Sequence, residues 1–180
     1  MARFVLQFPA EQVPELADRF SYAKDDRGCL AAGAAAVARG HYTRDELILI
    51  CMWKTERSKG KVASNSETDV QFATARAMRS RDEARRLESL TDLAGVGVPT
   101  ASALLYFAFP ADYPILDVRA LESLGQRART AYPTSFWTDY VLACRRMAGE
   151  LKVSIRILDK ALWQWSKERD PDPAPVEAAE

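Results

Sequence analysis

Two glycines two residues apart, Gly95 and Gly97, lie between two apolar helical patterns, and this arrangement constrains the fold more than any other part of the chain. Upstream, residues 81–93 are amphipathic: Ala84, Leu87, Leu90 and Leu93 recur at helical spacing, with Arg and Glu between them. The pattern breaks at residues 94–97, where glycine permits φ > 0 and brings amides to the surface. A second helix is expected from Val98 and Pro99, because proline near the first helical position gives up an N–H that has no partner there. It runs through Thr100 to Phe109 and stops at Pro110. Residues 81–109 therefore read as helix, tight turn, helix. The start of the second helix offers N–H groups that suit a phosphate oxygen, which makes Gly95, Val96, Gly97, Val98 and Thr100 the candidate phosphate-binding residues.

The remaining chain also reads as helix, with no convincing strand and no repeat. Residues 1–8 are expected as an extended arm, since Pro9 and Pro14 punctuate the chain beyond it, and a short helix is expected near 13–20. An alanine-rich helix over 30–39 ends at Gly40. Thr43 with Glu46 three residues on is a capping-box pattern. It opens a helix carrying Leu47, Ile48, Ile50, Cys51 and Trp53, apolar over most of its surface and so expected to be central. Residues 64–78 form another candidate, with Val70, Phe72, Ala73 and Ala77 on its apolar side. Further helices are expected near 118–124, 135–148 and 154–167. Trp163 and Trp165 cannot share a helix face and are both assigned to packing, and His41 is expected at the surface. Residues 1–168 are expected as one helical domain, with a disordered acidic, proline-rich tail over 169–180.

The chain of 180 residues can bury a real core, and no apolar run approaches membrane-spanning length. The N-terminal stretch is interrupted by Gln7, Pro9 and Glu11, unlike a secretory signal. Cys29, Cys51 and Cys144 are odd in number and far apart, without metal-ligand spacing, so reduced thiols and a cytoplasmic location are expected. Formal net charge is zero, which argues against a dedicated nucleic-acid binder. The distribution argues the other way. From residue 54 to 86 there are nine basic and five acidic residues, whereas residues 168–180 hold five acids and one arginine. A basic middle beside the glycine turn is thus cancelled by an acidic end. It reads as either a solvated face or a DNA-facing one.

The segment LAGVGVPTASALL (residues 93–105) resembles the helix-hairpin-helix of the DNA glycosylase superfamily, HhH-GPD, which includes endonuclease III, the adenine glycosylase for mismatched adenine and 8-oxoguanine glycosylase. Those enzymes carry Leu-Pro-Gly-Val-Gly-x-x-Thr-Ala, then a Val-Asp-Thr-His segment whose aspartate is catalytic. The aspartate lies eighteen residues beyond a site that holds lysine in lyase members. Here that site is Pro99, and Asp117, in Ile115-Leu116-Asp117-Val118-Arg119, comes eighteen residues later without a gap. The likeness is specific over residues 90–125. Trp53-Lys54 and the segment LDKALWQWSK also resemble short bacterial relatives of the glycosylases. Two departures stand out: Pro99 at the lysine site, and Val118-Arg119 in place of Thr-His.

The resemblance implies an all-α, two-lobed fold like that of a short, divergent bacterial member without an iron–sulfur cluster. It implies DNA as partner and a nucleotide flipped into a cleft because its glycosidic bond is unreachable inside the stack; the oligomeric state is left open, with a monomer expected. Asp117 would be the catalytic carboxylate and Trp53, Lys54, Arg57 and Arg119 the base-pocket residues. Without a lysine at Pro99 no Schiff base forms there, so base removal without strand cleavage is expected. Endonuclease III-type relatives carry a four-cysteine cluster loop that nothing here could supply. No cofactor or structural metal is expected, a monovalent cation at the hairpin being the one ion the likeness allows. Each residue also has a structural role open to it. Asp117 precedes a short helix, where aspartate is a favoured N-cap. Trp53 can be core, with Lys54 and Arg57 complementing a helix C-terminus. Two further functions remain open: a catalytically silent helix-hairpin-helix DNA-binding module in a repair or defence complex, and a helical connector that binds no nucleic acid.

Overall fold

A computed structural model of the chain describes residues 3–169. Among these residues the regular structure is entirely helical, in ten α-helices and one 3₁₀ turn. No described helix is long and apolar enough to cross a membrane. The chain divides into two compact units, one continuous (Ala23–Tyr113) and one assembled from the described residues of 1–22 and 114–180.

The discontinuous unit contains α1 (Val13–Asp18), preceded by the 3₁₀ turn Ala10–Gln12, then α8 (Val118–Ser123), α9 (Thr134–Leu151) and α10 (Ile155–Arg169). Helix α10 packs against α1, α8 and α9. The extended arm is tied down: the N–H groups of Val5 and Gln7 donate to Leu124 O and Ser123 O at 3.1 and 3.0 Å, and Phe4 and Phe8 are buried. Helix α9 runs past Gly149 to Leu151, three residues beyond the expected stop. Lys152 ends it in the left-handed region at φ 56°, with Val153 N–H returning to Ala148 O, so the cap bonds decide the end. Helix α10 includes Arg169, one residue into the expected tail; the rest of that tail lies outside the described residues.

The continuous unit holds α2 (Arg27–Arg39), α3 (Arg44–Lys54), α4 (Lys59–Ala63), α5 (Glu67–Arg79), α6 (Glu83–Thr91) and α7 (Val98–Ala108). Helix α7, rather than α3, is the fully enclosed one: every residue from Thr100 to Ala108 is buried, and α2, α3 and α6 pack around it. Burying each of its large apolar side chains contributes roughly 1.5–3 kcal/mol. Helix α2 approaches so closely that a Cβ at Gly33 would collide with the Phe107 carbonyl. The Thr43–Glu46 capping box opens α3 as its spacing predicts, with Thr43 N–H donating to Glu46 Oε2 at 2.8 Å. The short helix α4 is not predicted by the sequence pattern, which leaves residues 59–63 as connection.

Phe72 departs from expectation. Val70, Ala73, Thr74 and Ala77 form the buried stripe of α5, and Phe72 is 67 % exposed. Residues two apart lie about 200° around a helix, so Phe72 cannot share the face of Val70. Trp163 and Trp165 are each half-buried at the rim of packing rather than within it, and His41, expected at the surface, is half-buried.

Candidate functional site

The glycine turn is built by short-range bonds and held by a distant side chain. After α6, Leu93 N–H donates to Leu90 O and Val96 N–H to Leu93 O, at 3.2 and 3.1 Å. Gly95 sits at φ +76°, and a Cβ there would come within 2.9 Å of Val62 N, so both conformation and space require glycine. The Asn65 side chain clamps the turn from both ends: its Nδ2 donates to Ala94 O at 2.9 Å and its Oδ1 accepts from Ala94 N–H at 2.8 Å. Gly97 is the extended N-cap of α7, and no side chain caps it.

The five hairpin candidates therefore divide by role. Gly95 shapes the turn. Val96 is buried and its N–H is engaged; Thr100 is buried, with its side chain in the core. Gly97 and Val98 present N–H groups for which no described residue provides an acceptor. Exposed Lys61 packs its Cβ against Gly95 of this turn. The turn suits an anion.

Asp117 occupies the N-cap of α8, and its Oδ1 accepts from Ala120 N–H at 2.8 Å. The segment leading into it is fixed by two buried polar groups. Ile115 N–H donates to Asp159 Oδ1 at 2.9 Å, and Tyr140 Oη donates to Ile115 O at 3.0 Å. Asp159 is only 7 % exposed and is compensated by Arg156 Nη1, which donates to its other oxygen at 2.9 Å. Asp117 thus sits half-buried at the end of a clamped backbone.

Aromatic rings line the neighbourhood of this carboxylate. Burial raises the Tyr22 phenol above its usual pKa, and the negative charge of Asp117 raises it further. The Tyr22 ring meets Trp163 edge-on at 5.3 Å, and Phe20 meets Trp163 at 5.2 Å. Arg119, two residues after the carboxylate, lies over the Trp163 ring at 5.5 Å and reaches Ser166 Oγ at 3.5 Å. Sequence reasoning missed Tyr22, Asn65, Tyr140 and Asp159. It took from the two-residue offset that Trp163 and Trp165 lie on different faces and that one could line a cleft, but assigned both to packing.

Asp117 and Arg119 belong to the discontinuous unit, and the hairpin residues to the continuous one. Trp53, Lys54 and Arg57 also belong to the continuous unit. Trp53 packs edge-on against Phe107 at 4.9 Å, Lys54 is half-buried as the last residue of α3, and Arg57 is exposed. The three cysteines are buried and free, and no described group of three or more His, Cys, Asp or Glu converges as metal ligands.

No protein-family model matches this chain, and neither a curated protein nor a solved structure matches it.

Proposed function

We propose that the chain is a monofunctional, base-excising DNA N-glycosylase or a close relative of one, its two compact units corresponding to the lobes of an HhH-GPD-like fold. One observation carries this reading. A helix, glycine turn and helix, with N–H groups presented at Gly97 and Val98, is followed at the glycosylase register by a half-buried aspartate on a clamped backbone. The amides of Gly97 and Val98 hold a target-strand phosphate, with Lys61 adding charge. The nucleotide is extruded from its stack so that its glycosidic bond can be reached. As that bond breaks, its electron pair leaves with the base, which takes up a proton. Asp117 stabilises the positive charge developing on the sugar, or orients the water whose oxygen bonds to C1′ and which gives up a proton. Tyr22 and Trp163 supply aromatic surface beside that carboxylate. Pro99 offers no amine, so the product is an abasic site in an intact strand.

The test is an alkali-cleavage gel on labelled oligonucleotides carrying uracil, hypoxanthine, alkylated purines, 8-oxoguanine or mismatches, in duplex and single-stranded form. Alkali-dependent cleavage by the wild type and its loss in Asp117→Asn is the expected outcome. Equal cleavage by both proteins removes Asp117 from the mechanism. A second reading, a DNA-binding module without chemistry, draws on the Asp117 carboxylate being engaged as a helix cap. It expects salt-sensitive DNA binding that Asp117→Asn leaves unchanged.

A further inference from the structure

Helices α5 and α6 border an open groove of about 540 Å³, lined in part by Phe72, Ala75, Arg76, Arg79, Arg85 and Glu88. Its composition is unusual for a surface crevice. Phe72, at 67 %, is the most exposed large apolar side chain among the described residues. Arg76 lies 6.0 Å from the Phe72 ring centroid and is fixed by Ser89 Oγ and Asp92 Oδ2, each at 2.9 Å. Arg79 and Arg85 are exposed on opposite walls, one from each helix, and neither has a carboxylate partner among the described residues. Glu88 is the opposing charge in the lining, against three arginines.

We infer that the α5–α6 groove is a single-strand nucleic-acid subsite, with one base stacked on Phe72 and adjacent phosphates taken by Arg79 and Arg85. The chemistry of the two requirements is distinct, and the groove meets both. A solvated aromatic face accepts any base, and planar guanidinium forks on both walls match phosphate oxygens. An acidic peptide would satisfy the arginines without using the ring. The inference rests on the nucleic-acid part of the proposed function and is independent of Asp117.

The experiment is fluorescence anisotropy of a labelled oligothymidylate with the full chain, titrated from about 50 to about 200 mM salt. Wild type, Phe72→Ala and the double variant Arg79→Ala/Arg85→Ala are compared, with circular dichroism verifying that each is folded. Both groove changes are at exposed positions, so folding is expected to survive. Phe72→Ala should weaken binding about fivefold at every salt concentration, the lower end of a stacking loss. The double variant should flatten the slope of log affinity against log salt by about 1.4, two single-strand phosphate contacts. Binding by both groove variants equal to wild type overturns the inference, as does absence of wild-type binding. Displacement of the oligonucleotide by polyglutamate with Phe72→Ala silent also overturns it, because the groove is then a charge-only site for acidic chains. Failure of base excision with groove binding intact removes the glycosylase reading alone; excision with unaffected groove variants removes the groove alone.

Discussion

At residues 94–97 the backbone is held by a neutral amide at the surface, and at residues 115–117 by a buried charge. Asn65 reaches across 29 positions to satisfy both the N–H and the C=O of Ala94, and it is half-exposed, so water can stand in for it. Asp159 reaches across 44 positions to the Ile115 N–H, inside a unit where Tyr140 takes the same residue's carbonyl and Arg156 balances the charge. Both segments carry a candidate ligand or catalytic group. The difference shows that similar bonds at the two places carry different penalties for loss. A solvated clamp costs only the bonds it makes, whereas removing a buried carboxylate also leaves the buried amide it satisfied with no water to replace it.

The largest expected effect comes from breaking the buried clamp. Asp159→Ala should destabilise the chain by about 3 kcal/mol, since it removes the acceptor of the buried Ile115 amide together with a charge-assisted bond from Arg156. Urea unfolding would measure this, and Asp159→Asn, which keeps an acceptor for Ile115, should recover part of the loss. A change below about 0.5 kcal/mol would mean that water or another group satisfies Ile115, and that the two clamps are alike. Asn65→Ala should cost about 1 kcal/mol by the same measurement, because solvent can reach the turn. If it equals Asp159→Ala, the contrast between the segments is wrong.

The smallest effect concerns ionisation and uses one buried thiol from each unit. Burial pushes the Cys51 thiol from its ordinary 9.0 up to about 12. Cys144 is raised by burial too, with the charge of Asp159 adding to it. Both pKa values are higher folded than unfolded, so the contribution is intact below pH 9 and is lost as pH rises toward the folded values. At the unfolded pKa the loss is about 0.4 kcal/mol per thiol. Thermal melts at neutral pH and near pH 9 should therefore shift slightly downward, less so in Cys51→Ala and Cys144→Ala. A melting temperature that rises over this interval would contradict the burial of both thiols.

The outline of the helices was legible in the amino-acid sequence because its signals act over a few residues. The capping box at Thr43, the glycine turn, the proline-started α7 and the capping Asp117 are all decided by backbone groups within one turn of the residue concerned. The ends of α9 and α10 were less legible, since a Schellman-type closure at Lys152 and packing on α8 outweigh the local cost of Gly149. The short α4 was not legible at all; its five residues are placed by Val62, buried beside the hairpin turn.

By itself the sequence determined an all-helical chain, the position of the glycine turn and the register that sets Asp117 eighteen residues after Pro99. These come from i to i+4 spacing and from which residues tolerate a helix end. Tertiary structure alone decided that Asn65 and Asp159 hold the two segments, that Trp163 and Tyr22 meet near the carboxylate, and that Phe72 faces outward over three arginines. Partners separated by 29 or 44 positions are selected by which helix faces pack together, and that choice minimises buried polar groups across a whole unit rather than within any single turn.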